Sequence, residues 1–158
     1  MSGVVVRFAR PEDWPEVAAL LVELGRGVPP SAARDDAHRV RFAGHTRALD
    51  AVTLVAESDG RIVGFLDMWY QQRLGDHRPQ AYVQDLVVTE ALRGGGMGSL
   101  LLRRAEELAR KRGCFRMWLV TAGWREGAHA FYRKHGWEGY GTWFVKRLEE
   151  AEPGRRDD

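Results

Sequence analysis

The sequence predicts a single mixed α/β domain, and three observations carry that reading. Apolar residues recur at helical spacing over 14–24, while β-branched and aromatic runs suited to strands follow at 51–58 and 61–72. Asp59-Gly60 joins those two runs as a two-residue hairpin turn. Finally, the run at 82–88, a glycine cluster, a helical stretch and a second run at 114–122 succeed one another in the order of a crossover, which favours parallel pairing of the two runs.

The elements follow in order. VVVRFA at 4–9 suits a first strand. In WPEVAALLVEL, Val17, Leu20, Leu21 and Leu24 share one helical face, Asp13 and Glu16 have capping-box spacing, and Pro15 is tolerated in the first turn. GRGVPPS at 25–31 breaks the chain. A second helix is expected over about 32–49, with His38, Phe42, His45 and Leu49 on one face. Two histidines seven apart, with no third ligand in sight, read as a half-buried face, and no metal is expected. RLGDHRPQ at 73–80 reads as a polar loop. The helix after the glycines closes at Gly113, and a short helix from Ala128 to His135 closes at Gly136. WEGYGTWFVKRL at 137–148 alternates as one or two closing strands do, and residues 149–158 read as a disordered tail. The domain therefore spans 1–148.

A chain of 158 residues can bury a core of its own. No apolar run approaches the roughly 18 residues of a membrane span, and the N-terminus carries no signal-peptide pattern, so a cytoplasmic location is expected. A net charge of +2 gives no reason to expect nucleic acid. Cys114 is the lone cysteine, so no internal disulfide forms. The cations Arg103, Arg104, Arg110, Lys111 and Arg112 read as a solvated helix face.

The segment DLVVTEALRGGGMGSLLL is where chemistry concentrates. A strand, a glycine turn and a helix N-terminus make a cradle for phosphate, because the glycines admit close approach and the first helical N–H groups lack partners. A P-loop would need a lysine after the glycines, and none follows. A Rossmann turn would need Gly-x-Gly-x-x-Gly, which Gly94, Gly96 and Ser99 match only in degenerate form, and an acidic residue ending the next strand, where Thr121-Ala122 stand.

What matches is Arg93-x-x-Gly96-x-Gly98 after Leu86-Val87-Val88, with Ala128-x-x-Phe131-Tyr132-x-x-x-Gly136-Trp137 downstream. Both motifs resemble those of the GCN5-related N-acetyltransferase (GNAT) family, and the resemblance covers about 4–148. It implies a mostly antiparallel sheet of six to seven strands flanked by about four helices, with two parallel central strands splayed apart. It implies acetyl-CoA as co-substrate and a primary amine as acceptor, a small molecule being favoured over a protein N-terminus or lysine. It also implies Arg93, Gly94, Gly95, Gly96, Met97, Gly98 and Ser99 around the pyrophosphate, with Leu86 and Val88 pairing with the pantetheine arm. An amide near Val87 would polarise the thioester, and Tyr132 would lie near the sulfur as general acid. Arg125 stands where many members place a cofactor-contacting asparagine, and Gly136-Trp137 replaces glycine-phenylalanine. Asp85 is the first candidate for the base. Glu57, Asp67 and His129 are weaker candidates, and His135 reads as a helix cap. Trp69, Tyr70 and Trp124 are candidate acceptor-pocket residues. A homodimer fits the family, and a coenzyme-A-sensing module without catalysis is the reading from another class.

Overall fold

The structure is a computed structural model that describes residues 3–148. Strands β1 (Val5–Phe8), β2 (Ala51–Ser58), β3 (Arg61–Arg73), β4 (Asp76–Val88) and β5 (Met117–Trp118) form one sheet in that spatial order. The first three pairings are antiparallel, and β4 pairs β5 in parallel. Helices α1 (Trp14–Leu24) and α2 (Asp36–His45) cover one face. Helix α3 (Met97–Lys111) covers the other, and α4 (Glu126–Lys134) follows the β5 region.

Each face carries its own core. Trp14, Val17, Leu20, Phe42, Phe65 and Val87 pack on the α1/α2 side. Leu54, Leu66, Met68, Val83, Leu101 and Ala105 pack on the α3 side. Leu54, Leu66, Leu101 and Leu102 are fully buried, so each leucine contributes on the order of 2 kcal/mol of transfer free energy. Strand alternation assigns the faces: along β3, Phe65, Asp67, Trp69 and Gln71 face α1/α2, while Leu66, Met68 and Tyr70 face α3.

Several boundaries depart from the sequence reading. The loop expected at 73–80 is mostly strand: β3 and β4 run on as a hairpin arm, with Gln71 opposite Gln80 and Arg73 opposite Asp76. Polar side chains there concealed a two-stranded ladder that needs no apolar face on either side. The helix expected over 32–49 is a 3-10 turn at Pro30–Arg34 followed by α2, because the Asp35 carboxylate accepts the His38 N–H and starts the helix there. Asp13 does not cap α1. Its carboxylate accepts the Arg10 N–H and two Arg7 guanidinium N–H bonds, while Glu16 accepts the Ile62 N–H.

The described residues hold five strands rather than six or seven. The 114–122 run keeps only the two residues of β5 in a ladder, since the chain leaves β4 after Trp118. The 137–148 stretch forms no strand, and Tyr140, Trp143, Phe144 and Leu148 stand exposed with no ladder partner. The expected tail at 149–158 lies outside the described residues.

One irregularity in β4 matters for the site. Asp67 opposes Asp85 but Met68 opposes Val83, so Gln84 is an extra residue, a β-bulge. Asp85 therefore faces α1/α2 although Val83, two residues earlier, faces α3.

Candidate active site

Where β5 stops pairing, β4 runs on to Val88 paired with β3 only, and β4 and β5 part. A cleft of about 690 Å³ opens there, bounded by the end of β4, the turn before α3 and the α4 region.

The turn is shaped by its glycines. Gly96 caps α3 at φ +85°, a left-handed conformation that costs an L-residue roughly 1–2 kcal/mol. The first intrahelical bond runs from the Leu100 N–H to the Gly96 carbonyl, so the N–H groups of Met97, Gly98 and Ser99 carry no helical acceptor and open on the cleft. Gly98 serves a different purpose. A Cβ there would already touch Phe131 at 3.4 Å, so a longer side chain would close the passage between α3 and α4. The Arg93 side chain folds back, Nε donating to the Val88 carbonyl at 3.1 Å.

Backbone direction along β4 follows from register. The Thr89 N–H donates to the Val63 carbonyl on β3. Alternation turns the Val87 N–H the same way, toward β3, and leaves those of Leu86 and Val88 directed toward the gap. The amide suited to polarise a carbonyl in the gap is therefore Leu86 or Val88, not Val87.

Tyr132 comes from α4. Its ring stands edge-on to Phe131 and 5.5 Å from Trp137, and burial pushes its phenol up to about 12, against the pull of Arg125 and Arg26. The group is a neutral proton donor at physiological pH. Asp85 lies on β4 and does not line the cleft itself. Its carboxylate accepts from Arg26 Nε at 2.6 Å, and Arg26 Nη2 also donates to the Gln84 carbonyl at 3.0 Å. Burial raises the Asp85 pKa, Arg26 opposes that rise, and the facing Asp67 adds to it. Electrostatic coupling of Tyr132 to both Asp85 and Arg26 puts the three within one field.

Asp67 lies directly across the ladder from Asp85. His45, from the end of α2, meets it at 2.6 Å through Nε2, and Trp69 Nε1 donates to its other oxygen at 3.2 Å. That bond to Asp67 raises the His45 pKa, so the imidazolium is favoured.

All of the residues read as cofactor-binding line the cleft except Gly95, whose N–H turns back to the Leu92 carbonyl. Other candidates fall elsewhere. Glu57 is bound to Arg7 on β1, at the far side of the sheet. His129 Nε2 is spent on the Ala122 carbonyl. Tyr70 points to the α3 face, its hydroxyl donating to the Leu108 carbonyl. Trp124 lies on the cleft rim under Arg125. His38 is bound to Asp35 and His45 to Asp67, and among the described residues no three His, Cys, Asp or Glu side chains converge as metal ligands.

His135 is more than a helix cap. Its Nδ1 meets the Phe131 carbonyl at 2.8 Å and its Nε2 meets Ser99 Oγ at 2.8 Å. A carbonyl can only accept, so Nδ1 carries a proton, and in that tautomer of the neutral ring the Ser99 hydroxyl donates to Nε2. Spacing gave no signal for this bond, which joins residues 36 apart.

Known proteins resemble this arrangement. The model of the Acetyltransferase (GNAT) family matches residues 14–137. Aminoalkylphosphonate N-acetyltransferase of Salmonella typhimurium is 33% identical over 144 residues, covering 90% of both chains. A putative acetyltransferase structure from Agrobacterium tumefaciens superposes with a TM-score of 0.83 at 29% identity, over 91% of this chain and 99% of that one. A structure described as a transcriptional regulator from Bacillus halodurans reaches 0.85 at 25% identity, over 92% of this chain and 100% of that one. The family model takes in both the glycine turn and the Tyr132 helix, the two walls of the cleft, and a relative aligns with nine-tenths of the chain; the protein belongs to the GNAT acetyltransferase family.

Proposed function

We propose that this N-acetyltransferase moves the acetyl group of acetyl-CoA directly to the primary amine of a small molecule. The observation that carries the reading is the placing of the glycine turn and Tyr132 on one cleft, at the point where β4 and β5 part. Support for a small acceptor comes from the Salmonella relative, whose name specifies an aminoalkylphosphonate.

The turn fits a pyrophosphate. Three N–H groups without helical acceptors and the positive end of a 15-residue helix favour an anion. The N–H groups of Leu86 and Val88 hold the pantetheine arm and polarise the thioester carbonyl. The neutral amine attacks the carbonyl carbon, a C–N bond forms, and the C–S bond breaks. The Tyr132 phenol gives its proton to the departing thiolate, and Asp85 accepts the proton lost by the amine, which returns through solvent to Tyr132. Burial serves both groups, because it holds the phenol protonated and raises the basicity of the carboxylate.

Thiol release from acetyl-CoA, followed with and without a panel of small primary amines, tests the reading. Amine-dependent release is expected. Tight acetyl-CoA binding with no release for any amine would favour a sensing module instead.

A further inference from the structure

Three aromatic rings form a row across three adjacent strands beside the gap. Trp69 on β3 opposes Tyr82 on β4, and Tyr82 opposes Trp118 on β5. All three face the α1/α2 side. Trp69 follows Asp67 on that face, the Tyr82 and Trp118 ring centroids are 4.4 Å apart, and Trp118 Nε1 donates to Gln71 Oε1 on the same side at 3.1 Å. Each ring is half-buried. The Tyr82–Trp118 pair is also the last rung before β5 departs, so the row borders the gap where the acetyl group is to be transferred.

The neighbouring rows are already satisfied. Asp67 is matched by His45 and Asp85 by Arg26. Behind the rings, Gln80 Nε2 donates to Gln71 Oε1 and Arg116 Nε donates to Gln80 Oε1, both at 3.0 Å. That network turns its polarity inward and fixes the plane of Trp118. Trp69 packs on the His45 ring with centroids 4.6 Å apart and Tyr82 on Trp118, and the surface these half-buried rings still expose is aromatic, flat and slightly negative, suited to stack a ring rather than to solvate a chain. A polycation would find no uncompensated carboxylate here.

We propose that the acceptor is a primary amine carried on a ring, which stacks against Trp69, Tyr82 and Trp118 while the amine reaches Asp85. This rests on the transferase reading and narrows its substrate class. An aryl ring and a pyranose present the same stacking chemistry, so the test separates them.

Rates of thiol release are compared for benzylamine, glucosamine, butylamine, 1,4-diaminobutane and 2-aminoethylphosphonate. At least one of the two ring-bearing amines is expected to exceed every open-chain amine about tenfold in kcat/KM, and the one that does identifies the ring. Trp118→Leu should cost the preferred ring-bearing amine about tenfold more than it costs butylamine, and Trp118→Phe should restore most of the loss. Unchanged acetyl-CoA affinity shows that each variant is folded, and Trp69→Leu serves if Trp118→Leu is not. Calorimetric binding of the same amines to the protein–CoA complex ranks them without turnover. Open-chain amines that bind and react as well as ring-bearing ones overturn the proposal. Absent turnover with a preserved ring preference in binding instead overturns the transferase reading and leaves the ring site standing.

Discussion

The two halves of the proposed site are made of different material. The turn before α3 presents backbone: N–H groups at a helix start, a left-handed Gly96, and the absence of a side chain at Gly98. The face beneath α1 and α2 is built of side chains, Asp67, Asp85, Trp69, Tyr82 and Trp118, supplied by three strands and oriented by His45, Arg26 and Gln71. A backbone site must look alike wherever the same ligand is bound. A side-chain site can be rewritten residue by residue on an unchanged frame.

The sharpest way to break this contrast is Gly98→Leu. The added carbons would run into Phe131, and acetyl-CoA affinity measured by calorimetry should fall more than 100-fold, whereas Gly98→Ala, in ordinary contact at 3.4 Å, should cost far less. An unaltered affinity in the leucine variant would remove the passage between α3 and α4 from the binding site. Next in size is Tyr132→Phe. It should lower kcat about 100-fold with little change in the KM for acetyl-CoA, as loss of a general acid does. Because the phenol sits at about 12, no loss of rate from its ionisation is expected below about pH 11 in the wild type.

The side-chain half predicts smaller effects. His45 has a raised pKa when folded, so its pairing with Asp67 stabilises the protein fully below the unfolded histidine value of about 6.5 and progressively less as pH climbs through the raised value. His45→Asn should therefore destabilise by about 1 kcal/mol near pH 6 and by little at pH 9, as read from denaturation midpoints. A constant difference at both pH values would mean that the pair acts by packing alone. Smallest is His135→Ala. It cuts the tie between the end of α4 and the first turn of α3, leaves the N–H groups in place, and should raise the KM for acetyl-CoA about threefold.

The contrast also explains what the sequence made legible. The backbone half was readable because its requirements fall on neighbouring residues: Arg93, Gly96 and Gly98 announce a turn, and Ala128 to Trp137 announces the helix that faces it. The direction of a single amide was not readable, since it depends on the register between β3 and β4: the sequence reading reached only as far as an amide near Val87, and register turns those of Leu86 and Val88 toward the gap. The side-chain half was legible only in fragments. Asp67, Asp85 and Trp69 stood out as individual residues, but Tyr82 and Trp118 become neighbours only through a parallel rung two residues long. The arm at 73–80 hid for a related reason: its strands pair with each other rather than with a core, and periodicity registers burial, not pairing.

The extra residue at Gln84 joins the two halves. Were Gln84 paired in a regular ladder instead, Asp85 would share the face of Val83 and point into the α3 core, while the amides of Leu86 and Val88 would change direction in step. A single bulge therefore lets one strand address two ligands from opposite sides. For the lineage of this chain, the consequence is a partition of mutational risk. Point changes at Trp69, Tyr82 or Trp118 explore new acceptors within an intact frame. Deleting Gln84 itself would only straighten the strand, since Asp67–Asp85 and Met68–Val83 remain partners, whereas a residue inserted or removed within 85–88 would turn everything beyond it the other way, so length changes are expected to be purged from that short segment.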